Sequence, residues 1–589
     1  MNTVQYRKEL TDWKFAIDQN ESGESFGWSA RNFDDSSWKD VKSYTSWETY
    51  EDAMADYEGV GWFRTTFRVM DKCPQPRKFV LHFEGIGGTA EVYFNGRYMG
   101  SNENRYLPFD IDITRPIISY GDNVIAVRVD NSNRGRKHLT GADRVEWVLY
   151  GGLTHKIYVE EQPSYCIKNV RIDARADGTA DVTLKIINRI ESDFHGYAGF
   201  YIEEMPECCA EREIDCTGEK SITVKFSTKA ENAKLWSPEN PNLYHLVAYM
   251  KDDDGDLRHK IIERFGFRTI CVEGTKILLN GQEILLKGVN RYDDYAPYGI
   301  CPPEEKIRED LQAIKDMGCN LIRTHYPQDR IHYEIADEMG LMYMIEVPLN
   351  WWKPERNETL MDFYGLAAEA VDALDRTFEN FCNHPCWTIW STSNECSYSH
   401  PACEELFRKL VGRMKAMDCG RLCTTVASQP MINGTDLDYC DIICYNRYPG
   451  CSPRCNSDAD FTLQLDHYMD DELEAMLRFY PDKPHVQTEF GCVCVAGMHG
   501  DPNAGRFTEE FAATVIEKQC EGFLTDPNMK GLVIWSWADY RHRRGFIPSA
   551  FDMGMAATYG PYGLVAMDRT PKQPVIDVMK KVFEDFQVK

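Results

Sequence analysis

Eight strand-length apolar runs follow one another between residues 284 and 537: ILLKGVN, NLIRTHY, LMYMIEV, WTIWSTSN, LCTTVAS, DIICYNR, HVQTEFG and GLVIWSW. Amphipathic stretches such as EEKIREDLQAIKDMG and TEEFAATVIEKQCEGFL lie between them. Strands that alternate with helices cannot be joined by hairpins, so they pair in parallel. Eight of them over some 300 residues match a (β/α)8 TIM barrel, whose chemistry sits at the carboxyl ends of its strands.

Those ends are unusually polar. Asn290, Arg291 and Tyr292 follow the first run, Arg323, Thr324 and His325 the second, and Glu346 the third. Asn394 and Glu395 end the fourth, Asn446, Arg447 and Tyr448 the sixth, Glu489 the seventh, and Trp535, Trp537 and Asp539 the eighth. One such residue is usually a cap. Polar or aromatic side chains at seven of eight ends predict a functional cluster.

Upstream the pattern changes. WFRTTFRV, KFVLHFEG, AEVYFNG, NVIAVRV and HKIYVE alternate with a period of two, with Asn95-Gly96 marking a hairpin, which predicts an all-β sandwich. YCIKNVRIDA, TADVTLKII, SITVKFS and YHLVAYM predict a second, smaller sandwich. The hairpin at Asn280-Gly281 opens the barrel. The expected domains are 1–163, 164–270 and 271–589.

Composition narrows the partners. The formal charge of −27 repels nucleic acid and anionic membranes, which excludes both. No apolar run reaches the length of a membrane span, and MNTVQYRKEL lacks an apolar signal core, so a cytoplasmic location is expected. The 21 cysteines are odd in number and often lie within apolar runs, as buried reduced thiols do. Their spacing does not predict a metal site.

Two glutamates at barrel strand ends, Glu395 and Glu489, fit glycosidic bond cleavage. One carboxyl must hold a proton for the leaving group while the other stays ionised to attack the sugar. Carboxylates are plentiful in this chain, so their placement carries the signal.

The residues around them also carry a resemblance. SxxNE with Glu395, TEFG with Glu489, KGVNR at 287–291, RTHYP at 323–327 and LWSPENPNLY at 235–244 resemble glycoside hydrolase family 2, which contains β-galactosidases and β-glucuronidases. EVYFNG and YGGLTHKIYV extend the likeness over nearly the whole chain. The resemblance implies a jelly-roll sugar-binding domain, an immunoglobulin-like domain and a catalytic barrel. It also implies a retaining, exo-acting hydrolase without metal or organic cofactor, with a β-glycoside or oligosaccharide as substrate. Relatives are often dimers or tetramers, so a homo-oligomer is expected. Glu395 matches the general acid/base, Glu489 the nucleophile, Asn394 the residue that binds the sugar 2-hydroxyl, and Tyr448 the tyrosine that bonds the nucleophile.

The glycone is less constrained. Family β-glucuronidases carry an Asn-x-Lys pair before the last barrel helix, whereas this chain reads YGPYGLVAMDRTPK, closer to the β-galactosidases. A β-galactoside is therefore the first expectation. Arg541, Arg543 and Arg544 of YRHRRGF offer bidentate forks for a uronate, which keeps a β-hexuronidase, a β-galacturonidase or β-glucuronidase, as the alternative. A sugar-binding protein without catalysis is a third reading, disfavoured because both glutamates are in place. Two departures bear on the glycone: Tyr292 stands where the family usually has histidine, and Glu146 where the jelly roll usually supplies aspartate. Arg291, His325, Asn446 and Trp535 complete the expected sugar-binding set.

Overall fold

The computed structural model describes residues 7–69, 78–118, 120–132, 145–163, 165–188, 193–352, 360–398, 400–418, 420–428, 436–451, 458–503, 505–543 and 559–588. Arg544 lies outside them.

In the N-terminal region a six-stranded antiparallel sheet faces a four-stranded one. Trp13, Phe15, Trp47, Phe63, Phe83 and Val127 fill the space between. Asn95 and Gly96, both at positive φ, make the tight turn between Thr89–Phe94 and Arg97–Asn102. The next region packs a three-stranded sheet on a four-stranded one. Thr179–Asn188 shows why: its even positions Ala180, Val182, Leu184 and Ile186 are fully buried while their neighbours reach solvent. KLWSPENPNL, residues 234–243, makes only isolated bridges before the strand Tyr244–Asp252 begins, as its prolines demand.

The third region is a closed barrel of eight parallel strands: β1 Leu286–Asn290, β2 Leu321–Thr324, β3 Met342–Glu346, β4 Trp387–Asn394, β5 Leu422–Ala427, β6 Ile443–Asn446, β7 His485–Glu489 and β8 Met529–Ile534. Each coincides with one of the eight runs. Strands β2 to β7 are buried at every position, because helices cover one face and the barrel core the other. Closure pairs β1 with β8 from Leu286 opposite Gly531 to Val289 opposite Ile534.

Two irregularities in the ladder set the site. Between β4 and β5 the register slips, so that Ser391 faces Thr424 but Asn394 faces Val426. Between β6 and β7, Tyr445 faces Gln487 while Asn446 faces Glu489, which makes Thr488 the extra residue. A bulge bends its strand and re-aims the next side chain. Asn394 and Glu489 each follow one.

All described cysteines but Cys209 and Cys271 are buried. No described helix is long and apolar enough to cross a membrane.

Candidate active site

Glu489, 6% exposed, is held at both oxygens. Arg323 donates from Nη1 to Oε1 at 2.7 Å, and the Tyr448 hydroxyl donates to Oε2 at 2.7 Å. His325 Nε2 lies 3.5 Å from Oε1. Burial, then the charge of Glu489, pushes the Tyr448 phenol well above its ordinary value, so it stays a donor. Arg323 itself is wholly buried and braced by Glu346, whose Oε1 accepts from Nε and Nη2 at 2.9 and 2.8 Å. Burial opposes ionisation of Glu346, but Arg323 and His325 overcome it and hold its carboxyl below the usual range. Glu346 Oε2 also fixes the His325 ring through Nδ1 at 2.7 Å. The site thus keeps two carboxylates on one guanidinium.

Glu395 sits at φ 49°, a left-handed conformation that strains a residue with a Cβ. Its backbone N–H donates to the Val426 carbonyl at 2.9 Å, which pins the turn. Its Oε1 accepts from Asn446 Nδ2 at 2.9 Å and its Oε2 from the Trp351 indole at 3.0 Å. Asn446 Nδ2 also reaches Asn394 Oδ1 at 3.0 Å, which accepts from Arg323 Nη2 at 2.8 Å. A hydrogen-bonded chain therefore runs Glu489, Arg323, Asn394, Asn446, Glu395. The chain links the two carboxyls at the carboxyl ends of β4 and β7.

The remaining wall comes from the N-terminal sandwich. Glu146 Oε1 accepts from the hydroxyls of Tyr292 at 3.0 Å and Tyr540 at 2.9 Å. Burial, then the charge of Glu146, keeps both phenols protonated. The two departures noted in the sequence are thus one matched pair: a longer acid and a tyrosine meet where an aspartate and a histidine usually stand. Trp535 donates to the Tyr540 hydroxyl at 3.1 Å and lies against His325 with ring centroids 5.2 Å apart. Trp147 covers the other side of His325 at 5.8 Å.

Several expected sugar ligands have other tasks. Arg291 is 2% exposed and bridges Asp293 and Asp310 through Nη1 and Nε, while its Nη2 is buried without a hydrogen-bond partner. Asn446 serves Glu395. Arg541 reaches the Ala55 carbonyl at 2.6 Å and Asp56 at 2.9 Å. Arg543 forks onto Glu58 at 2.7 and 3.0 Å. These two arginines fasten the barrel to the sandwich through Asp56 and Glu58, while Arg544 lies outside the described residues. A local reading misses their partners, which lie 485 residues away.

Trp351, Asn350 and Tyr540 escaped sequence reasoning. The doubled tryptophan of LNWWKP, directly after β3, was the available signal for the first two. Asn350 Oδ1 accepts from Asn394 Nδ2 at 2.7 Å. Arg323 and Glu346 were visible only as polar strand ends.

Among the described residues one trio, Asp337, His384 and Cys386, is close enough to share a metal ion. Its carboxylate is already engaged. Asp337 bonds His384 Nδ1 at 2.7 Å and the Cys386 backbone N–H at 3.0 Å, with Arg264 at 3.5 Å. A cation beside Arg264 would be repelled, and the trio reads as a tie between helix Arg330–Met339 and the start of β4.

A jelly-roll-like sandwich, a second sandwich and a barrel carrying paired glutamates at its mouth define a glycoside hydrolase. The family descriptions agree: glycosyl hydrolases family 2, TIM barrel domain, matches residues 270–588, glycosyl hydrolases family 2 matches 165–268, and the glycosyl hydrolase 2 galactose-binding domain-like description matches 46–166. The chain belongs to glycosyl hydrolase family 2. A β-glucuronidase of Paenibacillus borealis is 26% identical over 574 residues, covering 90% of each chain. A β-galactosidase of Thermoanaerobacter pseudethanolicus is 27% identical over 360 residues, 60% of this chain and 47% of that one. Among solved structures, an Eisenbergiella tayi β-galacturonidase bound to galacturonate superposes with a TM-score of 0.83 at 23% identity, covering 99% of this chain and 98% of that one. A Ruminococcus gnavus β-glucuronidase in complex with uronic isofagomine gives 0.85, also at 23%, over 100% and 98%.

Proposed function

We propose that this chain is an exo-acting, retaining β-hexuronidase that removes a terminal uronic acid from a β-linked substrate. The observation that carries the chemistry is the pair of carboxyls, Glu489 and Glu395, joined through Arg323, Asn394 and Asn446 at one barrel mouth. Glu489 is gripped by a guanidinium and a phenol, which suits an anion that attacks. Glu395 accepts from the Asn446 amide and the Trp351 indole across the same barrel mouth, a place from which an acid can pass a proton to the departing oxygen.

In the first step Glu489 attacks the anomeric carbon, the glycosidic bond breaks, and Glu395 passes its proton to the departing oxygen. Glu489 becomes an ester and loses its charge, while Glu346 keeps Arg323 neutralised through the change. In the second step Glu395, now a carboxylate, takes a proton from water, whose oxygen displaces Glu489 with the β configuration restored. Direct attack requires carboxyl groups about 5 Å apart.

The uronic glycone replaces the galactoside expected from GLVAMDRTPK. Support comes from the full-length likeness to a β-glucuronidase and from neighbours solved with galacturonate and with a uronic inhibitor. The missing Asn-x-Lys pair keeps the β-galactosidase as the second reading.

Initial rates on nitrophenyl β-galacturonide, glucuronide, galactoside, glucoside, fucoside, mannoside and arabinoside test the glycone, and the anomer released first, followed by NMR, tests retention. A uronide preference with the β-anomer formed first is the expected result. A galactoside preference would return the first expectation, and an α-anomer would remove Glu489 as nucleophile.

A further inference from the structure

A uronate needs a cation, and nearly every arginine described near the mouth is already answered. Arg323 holds Glu346 and Glu489, Arg291 holds Asp293 and Asp310, Arg541 holds Asp56, and Arg543 holds Glu58. Arg105 is the exception. It is 9% exposed, its Nη2 is buried without a hydrogen-bond partner, and no described residue accepts from its guanidinium. Leaving a buried guanidinium unpaired is costly, so such a group calls for an anion that arrives from outside.

Its neighbours place it at the junction of sandwich and barrel. The guanidinium carbon lies 6.0 Å from the Tyr106 ring, which stacks on Tyr326 at 4.4 Å. Trp147 donates to the Tyr106 hydroxyl at 3.4 Å and covers His325, beside Glu489. The charges of Arg543, Glu48 and Glu58 also reach it. Neither carboxylate is available to pair with it. Glu48 accepts from the Gly151 N–H at 2.9 Å and from Asn131 at 3.2 Å, and Glu58 is taken by Arg543. Arg543 also donates its backbone N–H to the Glu146 carbonyl at 2.7 Å, which ties this corner to the Glu146 end of the pocket.

We infer that Arg105 is the anchor for the uronate carboxylate, the one unpaired guanidinium among the described residues of this junction and next to the aromatic wall of the sugar pocket. This rests on the hexuronidase reading. A carboxylate matches the planar fork in both charge and geometry, whereas a hydroxymethyl group would leave the guanidinium unanswered.

The test compares kcat/KM on nitrophenyl β-galacturonide, β-glucuronide, the corresponding uronamides and β-galactoside, for the wild type, Arg105→Gln and Arg105→Lys, with melting temperatures alongside. The glutamine variant should lower the uronide-to-uronamide ratio about 10- to 100-fold, chiefly through KM. The lysine variant should fall between, because a point charge keeps the attraction and loses the fork. Equal losses on uronide and neutral substrates would make Arg105 structural and overturn the inference. An unchanged ratio would overturn it too, while leaving a uronide-active wild type, and hence the hexuronidase reading, intact. A wild type inactive on every uronide removes both together. If Arg105→Gln does not fold, Arg105→Lys decides by the same ratio.

Discussion

At the scale of single residues the site is built on contrasts in hydrogen bonding. Tyr448→Phe removes one of the two strong donors to Glu489 while keeping the ring. It should lower kcat about 10- to 100-fold with little change in melting temperature, since a hydrogen bond to a charged group contributes about 1.5–3 kcal/mol. An unaltered kcat would reduce Tyr448 to a packing residue. Glu489→Gln should abolish turnover, a loss of at least ~10⁴-fold, and azide should rescue Glu489→Gly with an α-linked product. Glu395→Ala should cost about 10²- to 10⁴-fold on substrates with poor leaving groups and far less on activated ones, because only the former need a proton. Equal losses on both would contradict its assignment as acid. Both glutamates were legible in the sequence as strand-end acids. Arg105 was not, because an arginine in NENRYLPF carries no local sign that its partners are occupied.

At the scale of elements, all eight barrel strands were legible, because each is a short β-rich run buried on both faces and bounded by turn residues. Two features were not. The register slips before Asn394 and at Thr488 depend on how neighbouring strands compete for hydrogen bonds, which no single run encodes. The seam pairs were hidden by chain separation. The immunoglobulin-like sandwich supplies a prediction of its own. His259, 5% exposed, accepts the Ile167 N–H through Nδ1 at 3.2 Å, and burial alone pulls its pKa down to about 4. A free imidazole titrates near 6.5, so between these values the unfolded chain binds a proton that the folded one refuses. The stability this neutral histidine represents is full above pH ~6.5 and is lost as pH falls toward ~4, at about 1.4 kcal/mol per unit. His259→Gln should therefore flatten the acid side of the melting profile. Parallel profiles for wild type and variant would dismiss the effect.

At the scale of the whole molecule, the pocket belongs to two domains. Glu146 comes from the sandwich, while the tyrosines that hold it come from the barrel, and Arg541 and Arg543 rivet the two together. Arg543→Ala strands Glu58 at that junction. It should lower the melting temperature, with a cost of about 1–3 kcal/mol, and raise KM for every glycone alike. A selective loss on uronides would restore the loop to sugar recognition and count against Arg105. Such long-range composition also fixes an order of events during synthesis. Glu146 leaves the ribosome nearly four hundred residues before Tyr540, its partner 394 positions on. Barrel closure has to wait for β8 at Met529–Ile534. A nascent chain can complete both sandwiches and most of the barrel and still have no glycone pocket. Activity should switch on only after β8 and Tyr540 have been translated, and a ribosome stalled before that point would carry two folded sandwiches and an open, silent barrel.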